Sequence, residues 1–379
     1  MLTKHYCFPS GTAQTAGKGR YTFIDIETTG LKRDATILYL IGCGWHENDD
    51  YHIIQWFNDD GVSEPAMLLA LQDFLSGHPA PLLTFNGESF DIPYLNRHYE
   101  LNNMDFRLNL TGSLDLYRML RPFQTLFRLP HGKQKDWEHF LGIDREDLYS
   151  GGQLIGMYKQ YLIKKDPGLL DILLLHNMED IRGMEALLPL ASYQGLMNGA
   201  FSLREVSCSA SFTAFCQLKA PLPRPLQITV PIGSLDISGD LMKLSVPVTS
   251  GSLKYFYPDY RNYYYLPEED RAIHKSVGCY VDSRFREKAK PATCYIRKTG
   301  HFVPLFPDKK YKGIQTSQKS YADSLTLYKN NYRDKHSFVE LDVLLSASDN
   351  LTTFYLCDYL KHIFIADMKK AATKQIGRA

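Results

Sequence analysis

The chain has 379 residues, 44% of them hydrophobic, and a formal net charge of +1, which is room for about two domains of ordinary size with packed cores. Its seven cysteines, an odd number without a C-x-x-C, argue against a disulfide framework or zinc ribbon and for reduced thiols. No uncharged apolar run reaches the ~18 residues of a bilayer span, and the start, M-L-T-K-H-Y-C-F-P-S, lacks the apolar core of a signal peptide, so a soluble cytoplasmic protein with no membrane partner is expected.

Residues 1–20 show no period and read as a lead-in or an edge element. Tyr21 to Ile26 is β-branched or aromatic except at Asp25, the mark of a strand, and Thr28, Thr29 and Gly30 end it as a turn. Ala35 to Trp45 is apolar enough for a buried strand. Glu47 to Asp50 forms a polar turn, and Tyr51 to Phe57 completes an antiparallel meander. Helical periodicity follows over Glu64 to Leu75, then a short buried strand over Pro81 to Phe85. A second helix is expected over Asp91 to Leu101, with Pro93 in its first turn, and a fifth strand over Ser113 to Leu116. Trp137 to Gly142 reads as a short helix stopped by glycine, and Leu169 to Tyr193 as one long, well-buried helix. This order predicts an α/β fold with a mixed five-stranded sheet flanked by helices.

Three stretches carry carboxylates in telling places. Asp25 and Glu27 stand at i and i+2, so both point from one face of the opening strand. Two acids side by side in an apolar strand repel each other and resist desolvation, and divalent cations with oxygen ligands would offset both costs. Asp91 begins a helix within L-T-F-N-G-E-S-F-D-I-P-Y-L, where it could equally be an N-cap. His176 and Asp180, in L-H-N-M-E-D-I-R-G-M, are four apart and share a helix face. Taken singly they also read as a buried histidine and a surface acid.

F-I-D-I-E-T-T-G-L, N-G-E-S-F-D-I-P-Y-L and H-N-M-E-D together resemble the three motifs of the DEDD (DnaQ-like) 3′→5′ exonucleases of the ribonuclease-H-like superfamily. The resemblance is nearest to the bacterial YprB-type ribonuclease-H-like domain, where N-G-x-x-F-D and H-N-x-x-D recur. W-E-H-F-L-G-I-D-R-E-D resembles the segment before the third motif in that group. The likeness covers roughly residues 20–195 and implies a two-metal nuclease. Asp25, Glu27, Asp91 and Asp180 would hold two divalent cations, Mg²⁺ or Mn²⁺, which would stabilise the attacking and leaving oxygens of an in-line displacement at phosphorus. Asp25 would bridge the two, Glu27 and Asp180 would complete the site of the attacking water, and Asp91 would serve the second cation. His176 would take the water's proton. The His branch of the family usually sets its base five residues before the last Asp. Here the separation is four, the spacing of the Tyr branch, which leaves the base assignment open; Tyr161 and Tyr193 do not replace His176 by spacing. Thr28, Asn86, Gly87 and Phe90 fall where the resemblance implies contacts with substrate, and Phe90 reads equally as core. Asp115 also resembles a recurrent family position and reads as a supporting residue.

The texture changes near residue 200, where a domain boundary is expected: lead-in 1–20, exonuclease domain 21–200, accessory domain 201–379. Charge changes there too, from 17 Lys and Arg against 25 Asp and Glu in residues 1–200 to 26 against 17 beyond. The pattern is that of a metal-binding part beside a polyanion-binding part, or of ordinary surface variation. Residues 225–265 alternate like an antiparallel sheet, and residues 338–368 turn helical. Seven of the thirteen residues from Lys254 to Leu266 are aromatic, a composition that suits base stacking or a tyrosine-rich sheet. A β-rich α+β domain is expected. The leading reading is a metal-dependent nuclease acting on DNA or RNA, single-stranded ends first. Against it stand a nucleic-acid-binding module with weak turnover and a structural partner of a helicase or polymerase.

Overall fold

The computed structural model describes residues 1–9, 21–48, 50–316, 325–346 and 349–376. Its Cα packing divides the chain into two compact units, Met1–Ala191 and Ser192–Ala379.

In the first unit, strands β1 (Leu2–Pro9), β2 (Thr22–Thr28), β3 (Leu38–Glu47), β4 (Asp50–Phe57), β5 (Leu82–Thr84) and β6 (Leu114–Asp115) form one sheet in the order β1-β4-β3-β2-β5-β6. Pairing is antiparallel from β1 to β2 and parallel from β2 to β6, so the sheet is mixed. Helices α1 (Glu64–Gly77) and α2 (Asp91–Leu101) pack on one face, sharing a core with Ile24, Ile26, Ile41 and Trp56. After α3 (Leu116–Gln124) and α4 (Gln134–Leu141), helices α5 (Gly151–Lys164) and α6 (Pro167–Leu187) cover the other face, around Tyr39, Leu40 and Phe57. A sheet covered on both faces needs continuous apolar strands, which is why the first seven residues of β3 are all buried.

The sheet has one strand more than the five expected. Part of the expected lead-in is β1, paired along its whole length with β4 from Leu2 opposite Phe57 to Pro9 opposite Asp50. An edge strand needs little apolar cover, so its alternation is too shallow to read. Residues 10–20 of the lead-in lie outside the described residues, as does residue 49 of the expected Glu47–Asp50 turn. The long helix expected to reach Tyr193 stops at Leu187. Pro189 has no N–H to continue the ladder, and the chain passes through a 3₁₀ turn, Leu188–Leu190, into a separate short helix, Ala191–Met197.

Three glycines let helices come close. A Cβ on Gly42 or Gly44 of β3 would overlap Asn177 and Ile181 of α6 or the hydroxyl of Tyr51, and one on Gly183 of α6 would overlap Glu138 of α4. Helix α6 therefore lies directly on β3 and beside β2, and α4 lies directly on α6.

The second unit holds a five-stranded antiparallel sheet, β7 (Phe201–Cys208), β8 (Ser211–Leu218), β9 (Leu226–Val230), β10 (Gly233–Ser238) and β11 (Leu241–Pro247), in the order β7-β8-β11-β10-β9. Strict alternation, buried at Leu226, Ile228 and Val230, marks a sheet covered on one face. The long helix Asp349–Ile376 packs against β9 and β10, and Tyr359 donates to the carbonyl of Ile232 at 2.5 Å. Two smaller three-stranded sheets join Thr249–Phe256, Tyr295–Leu305 and Ser337–Glu340, and Tyr263–Leu266, Arg271–His274 and Glu287–Lys288. The expected helical stretch begins at Leu341, because Ser337–Glu340 is a strand.

Candidate active site

The alternation that sends Ile24 and Ile26 into the core under α1 and α2 sends Asp25 and Glu27 to the face of β2 that α6 covers. Asn177 of α6 locks the first of them: its Nδ2 donates to Asp25 Oδ2 at 2.8 Å and to the Asp25 carbonyl at 3.3 Å. Gln55 fixes Asn177 in turn, donating to its Oδ1 at 2.8 Å and to the Leu174 carbonyl at 2.9 Å. Both amides are fully buried, so this pairing sets the rotation of α6 against the sheet. With α6 so placed, His176 Nε2 stands 3.3 Å from Glu27 Oε1 and 3.3 Å from Asp180 Oδ2. Tyr39 donates to Glu27 Oε2 at 3.3 Å.

Asp91 enters from the opposite side. Strand β5 pairs with β2 only at Thr22 and Phe23, so the N–H of Ile26 is free of the ladder and donates to Asp91 Oδ1 at 3.2 Å. The second-motif acid thus bonds to the backbone between Asp25 and Glu27. Its loop is held by Asp115, whose two oxygens accept the N–H groups of Asn86 at 2.9 Å and Glu88 at 3.1 Å.

Crowding shows in the acidity of these groups. Loss of solvent pushes the carboxyl of Asp25 well above the usual range, and the charges of Asp180, Asp91 and Glu27 add to it. Glu27 is raised for the same first reason, with Asp180 next; the hydrogen bond from Tyr39 opposes. Asp91 is pushed up to about 7, mainly by burial, with Asp115 and Asp180 adding and its backbone hydrogen bonds opposing. Glu27, His176 and Asp180 each offer a ligand atom, all within 4.8 Å of one another. The carboxyls of Asp25, Glu27 and Asp91, which burial and mutual repulsion make hard to ionise, are oxygen donors of the kind that fits Mg²⁺ or Mn²⁺.

A second ring of residues supports the first. His176 Nδ1 lies 2.6 Å from Asp147 Oδ2, which Lys135 Nζ also reaches at 2.6 Å, while the N–H of Tyr149 donates to Asp147 Oδ1 at 2.9 Å. Burial pulls the Asp147 carboxyl upward, but Lys135, Tyr149 and His176 together hold it below its usual value. An ionised Asp147 requires the proton on Nδ1, so Nε2 is the nitrogen turned to Glu27 and Asp180. Arg145 Nη1 lies 2.6 Å from Asp180 Oδ1, and the same guanidinium forms a two-pronged pair with buried Glu138. Gln134 ties this together, donating to the Asp180 carbonyl at 2.7 Å and to Glu138 Oε1 at 2.9 Å.

Of the expected residues, Asp25, Glu27, Asp91, His176 and Asp180 meet in one place. The four expected substrate contacts have mixed surroundings. The Thr28 hydroxyl donates to the Gly30 carbonyl at 2.7 Å, and a Cβ on Gly87 would press into Thr84. Phe90 packs against the core beside Tyr94, ring centroids 5.6 Å apart. Asn86, at φ +67°, lines an open cleft of about 390 Å³ with Phe85, Tyr117, His131, Lys133 and Gln134. Tyr161 packs on Phe57 and Tyr193 donates to the Arg224 carbonyl, so both are engaged elsewhere. Sequence reasoning did not single out Gln55, Asn177, Glu138, Arg145 or Asp147. The last three lie in the W-E-H-F-L-G-I-D-R-E-D segment, and the available signal was a Glu on the apolar face of α4.

Residues 22–191, just under half of the chain, match the family model described as the ribonuclease H superfamily, and the mixed sheet with its flanking helices is a ribonuclease-H-like fold. Among solved structures the chain is similar to the family B DNA polymerase of the archaeon Pyrobaculum calidifontis, at 15% identity over 64% of this chain and 35% of that one, with a TM-score of 0.38. It is also similar to E. coli ExoI in its zinc-bound complex with single-stranded DNA, at 14% identity over 53% and 55%, with a TM-score of 0.28. It thus spans about a third of the polymerase and about half of ExoI. No curated protein matches.

Proposed function

We propose that the ribonuclease-H-like unit is a metal-dependent nuclease hydrolysing phosphodiester bonds of nucleic acid, working 3′→5′ from single-stranded ends. The observation that carries this reading is the convergence of Asp25, Glu27, Asp91 and Asp180, from β2, α2 and α6, close enough that the charge of Asp180 helps raise the carboxyls of the other three. These four would hold two divalent cations, Mg²⁺ or Mn²⁺. When bound, such ions supply positive charge to the attacking and leaving oxygens of an in-line displacement.

The chain's own residues would do the rest. His176, fixed through Nδ1 by Asp147, presents Nε2 on the acidic side, where it can take the proton of the attacking water. As the water oxygen bonds to phosphorus, the bond from phosphorus to the 3′ oxygen of the preceding nucleotide breaks, and that oxygen takes up a proton. Arg145, held by Glu138, keeps Asp180 turned toward the centre. The cleft beside Asn86 would seat a nucleotide, with Phe85 and Tyr117 as apolar walls and Lys133 near its phosphate. The seven cysteines, all free thiols, suit the reducing cytoplasm that this reading assumes.

The test is product analysis on matched DNA and RNA oligomers, labelled at either end, with Mg²⁺ or Mn²⁺. Mononucleotide release from the 3′ end that falls at least 100-fold in Asp25→Asn is the expected result. Salt-sensitive binding without turnover would replace the nuclease with a binding module. Unchanged turnover in Asp25→Asn would remove the site.

A further inference from the structure

A second group of metal-ligating side chains lies at the other margin of the sheet. In the β1–β4 pair, Cys7 stands opposite His52 and Pro9 opposite Asp50. Directly opposed residues of an antiparallel pair share a face, as do residues two apart on one strand. Cys7, Asp50 and His52 therefore project together. A sulfur, a carboxylate oxygen and a ring nitrogen from the three lie within 4.8 Å of one another.

The setting is ordered by aromatic packing. The His52 ring stacks with Trp45 at 5.1 Å and with His5 at 5.4 Å between centroids, and Trp45 packs in turn on Phe74 of α1. That packing fixes the imidazole while Cys7 stays exposed and Asp50 half-exposed. Nδ1 of His52 is shut off from solvent without a hydrogen-bond partner among the described residues. A buried ring nitrogen without a partner is costly, and a cation seated there would satisfy it.

We propose that Cys7, Asp50 and His52 form a binding site for a cation of the zinc class, clasping the edge strand β1 to β4. Thiolate, imidazole and one carboxylate make a mixed soft and hard set that Zn²⁺ accepts and Mg²⁺ does not. Binding exchanges the Cys7 thiol proton, released to solvent, for the metal, and three protein ligands leave a fourth position for water. The site shares no residue with the carboxylate centre and does not depend on the nuclease reading. Its role is to pin an edge strand whose own apolar cover is thin.

Titration of the chelator-treated full chain with Co²⁺ tests this directly. One equivalent should produce a thiolate-to-cobalt charge-transfer absorption, displaced by equimolar Zn²⁺. Cys7→Ser should abolish the band, His52→Ala should weaken Co²⁺ binding at least tenfold, and Asp25→Asn should leave the band unchanged. Zn²⁺ should slow alkylation of Cys7 at least tenfold, a readout that needs no variant. Absence of the band, its survival in Cys7→Ser, or alkylation at the same rate with and without Zn²⁺ would overturn the proposal.

Discussion

Asp147 illustrates how much one buried carboxylate can set. It accepts from His176 Nδ1 and from Lys135, and so decides which imidazole nitrogen faces Glu27 and Asp180. Asp147→Asn keeps the shape but can present an N–H to Nδ1, which favours the other tautomer. We expect kcat to fall roughly 100-fold, the order of a general-base contribution, with KM within about twofold. A Tm close to that of the parent would separate this from unfolding, and an unchanged pH–rate profile would count against a positioning role. The carboxylates of the centre act on stability with the opposite sign. Below about pH 4 Asp91 is protonated in both folded and unfolded chains. Between there and its folded value of about 7 the unfolded chain releases a proton that the folded one keeps, so stability falls as pH rises. The cation-free protein should therefore melt higher at pH 5.5 than at pH 7.5, and saturating Mg²⁺ should shrink the difference. Asp25→Asn should raise the cation-free Tm, by about 2–4 °C per kcal/mol of relief in a domain of this size, while abolishing activity. A lower Tm in that variant would mean the acids do not strain one another. The acids were legible because i and i+2 on a strand and i and i+4 on a helix are geometric facts of the chain. Asn177 and Gln55 were not, since an amide shows its purpose only once its partner is placed.

At the level of elements, the centre depends on how closely α6 approaches the sheet, and glycine decides that distance. Gly42→Ala would set a methyl against Asn177 and Ile181, moving α6 away from Asp25. Overpacking of this kind costs about 1–3 kcal/mol. Urea denaturation should show that loss with an unchanged m-value, and activity should fall further than stability does. Helix α4 is tied in by charge. Arg145→Ala would leave Glu138 buried without its partner, a loss of about 3–5 kcal/mol for a broken buried pair, and Glu138→Gln added to it should restore part. A loss under about 1 kcal/mol would show the pair to be hydrated. The strands β2 to β5 and helices α1 and α2 were readable from period and punctuation. Helix α5 was not, because Gly151, Gly152 and Gly156 dilute its apolar stripe, and the break in the long helix was missed although Pro189 signals it. The ion pairs of α4 needed tertiary structure, because Glu138 and Arg145 are joined across a helix end at Gly142.

For the whole molecule, the contrast of charge between the two halves gains content from the second unit. The tyrosine-rich stretch was open to two uses, stacking on bases or packing on itself. Tyr257, Tyr263 and Tyr265 pack around Ala272, Ala289 and Cys294, and Asp270 accepts from Tyr265 and pairs with Arg297, so much of the stretch builds its own small sheet. What remains outward is different. Tyr280 is 89% exposed and Phe285 47%, while Lys275 and Arg286 lie over the ring of Tyr264. Exposed aromatic rings among cations suit a single strand, where stacking is worth about 1–3 kcal/mol per base. Replacing Lys275 and Arg286 together by Glu should weaken single-strand binding by the full chain about tenfold at low salt. The slope of log affinity against log salt should flatten by about 0.7 for each phosphate that is no longer neutralised. Cleavage of an oligomer short enough to occupy only the carboxylate centre should keep its kcat. Equal affinity and an equal salt slope in the variant would mean that Lys275, Arg286 and the ring of Tyr264 between them carry no nucleic acid.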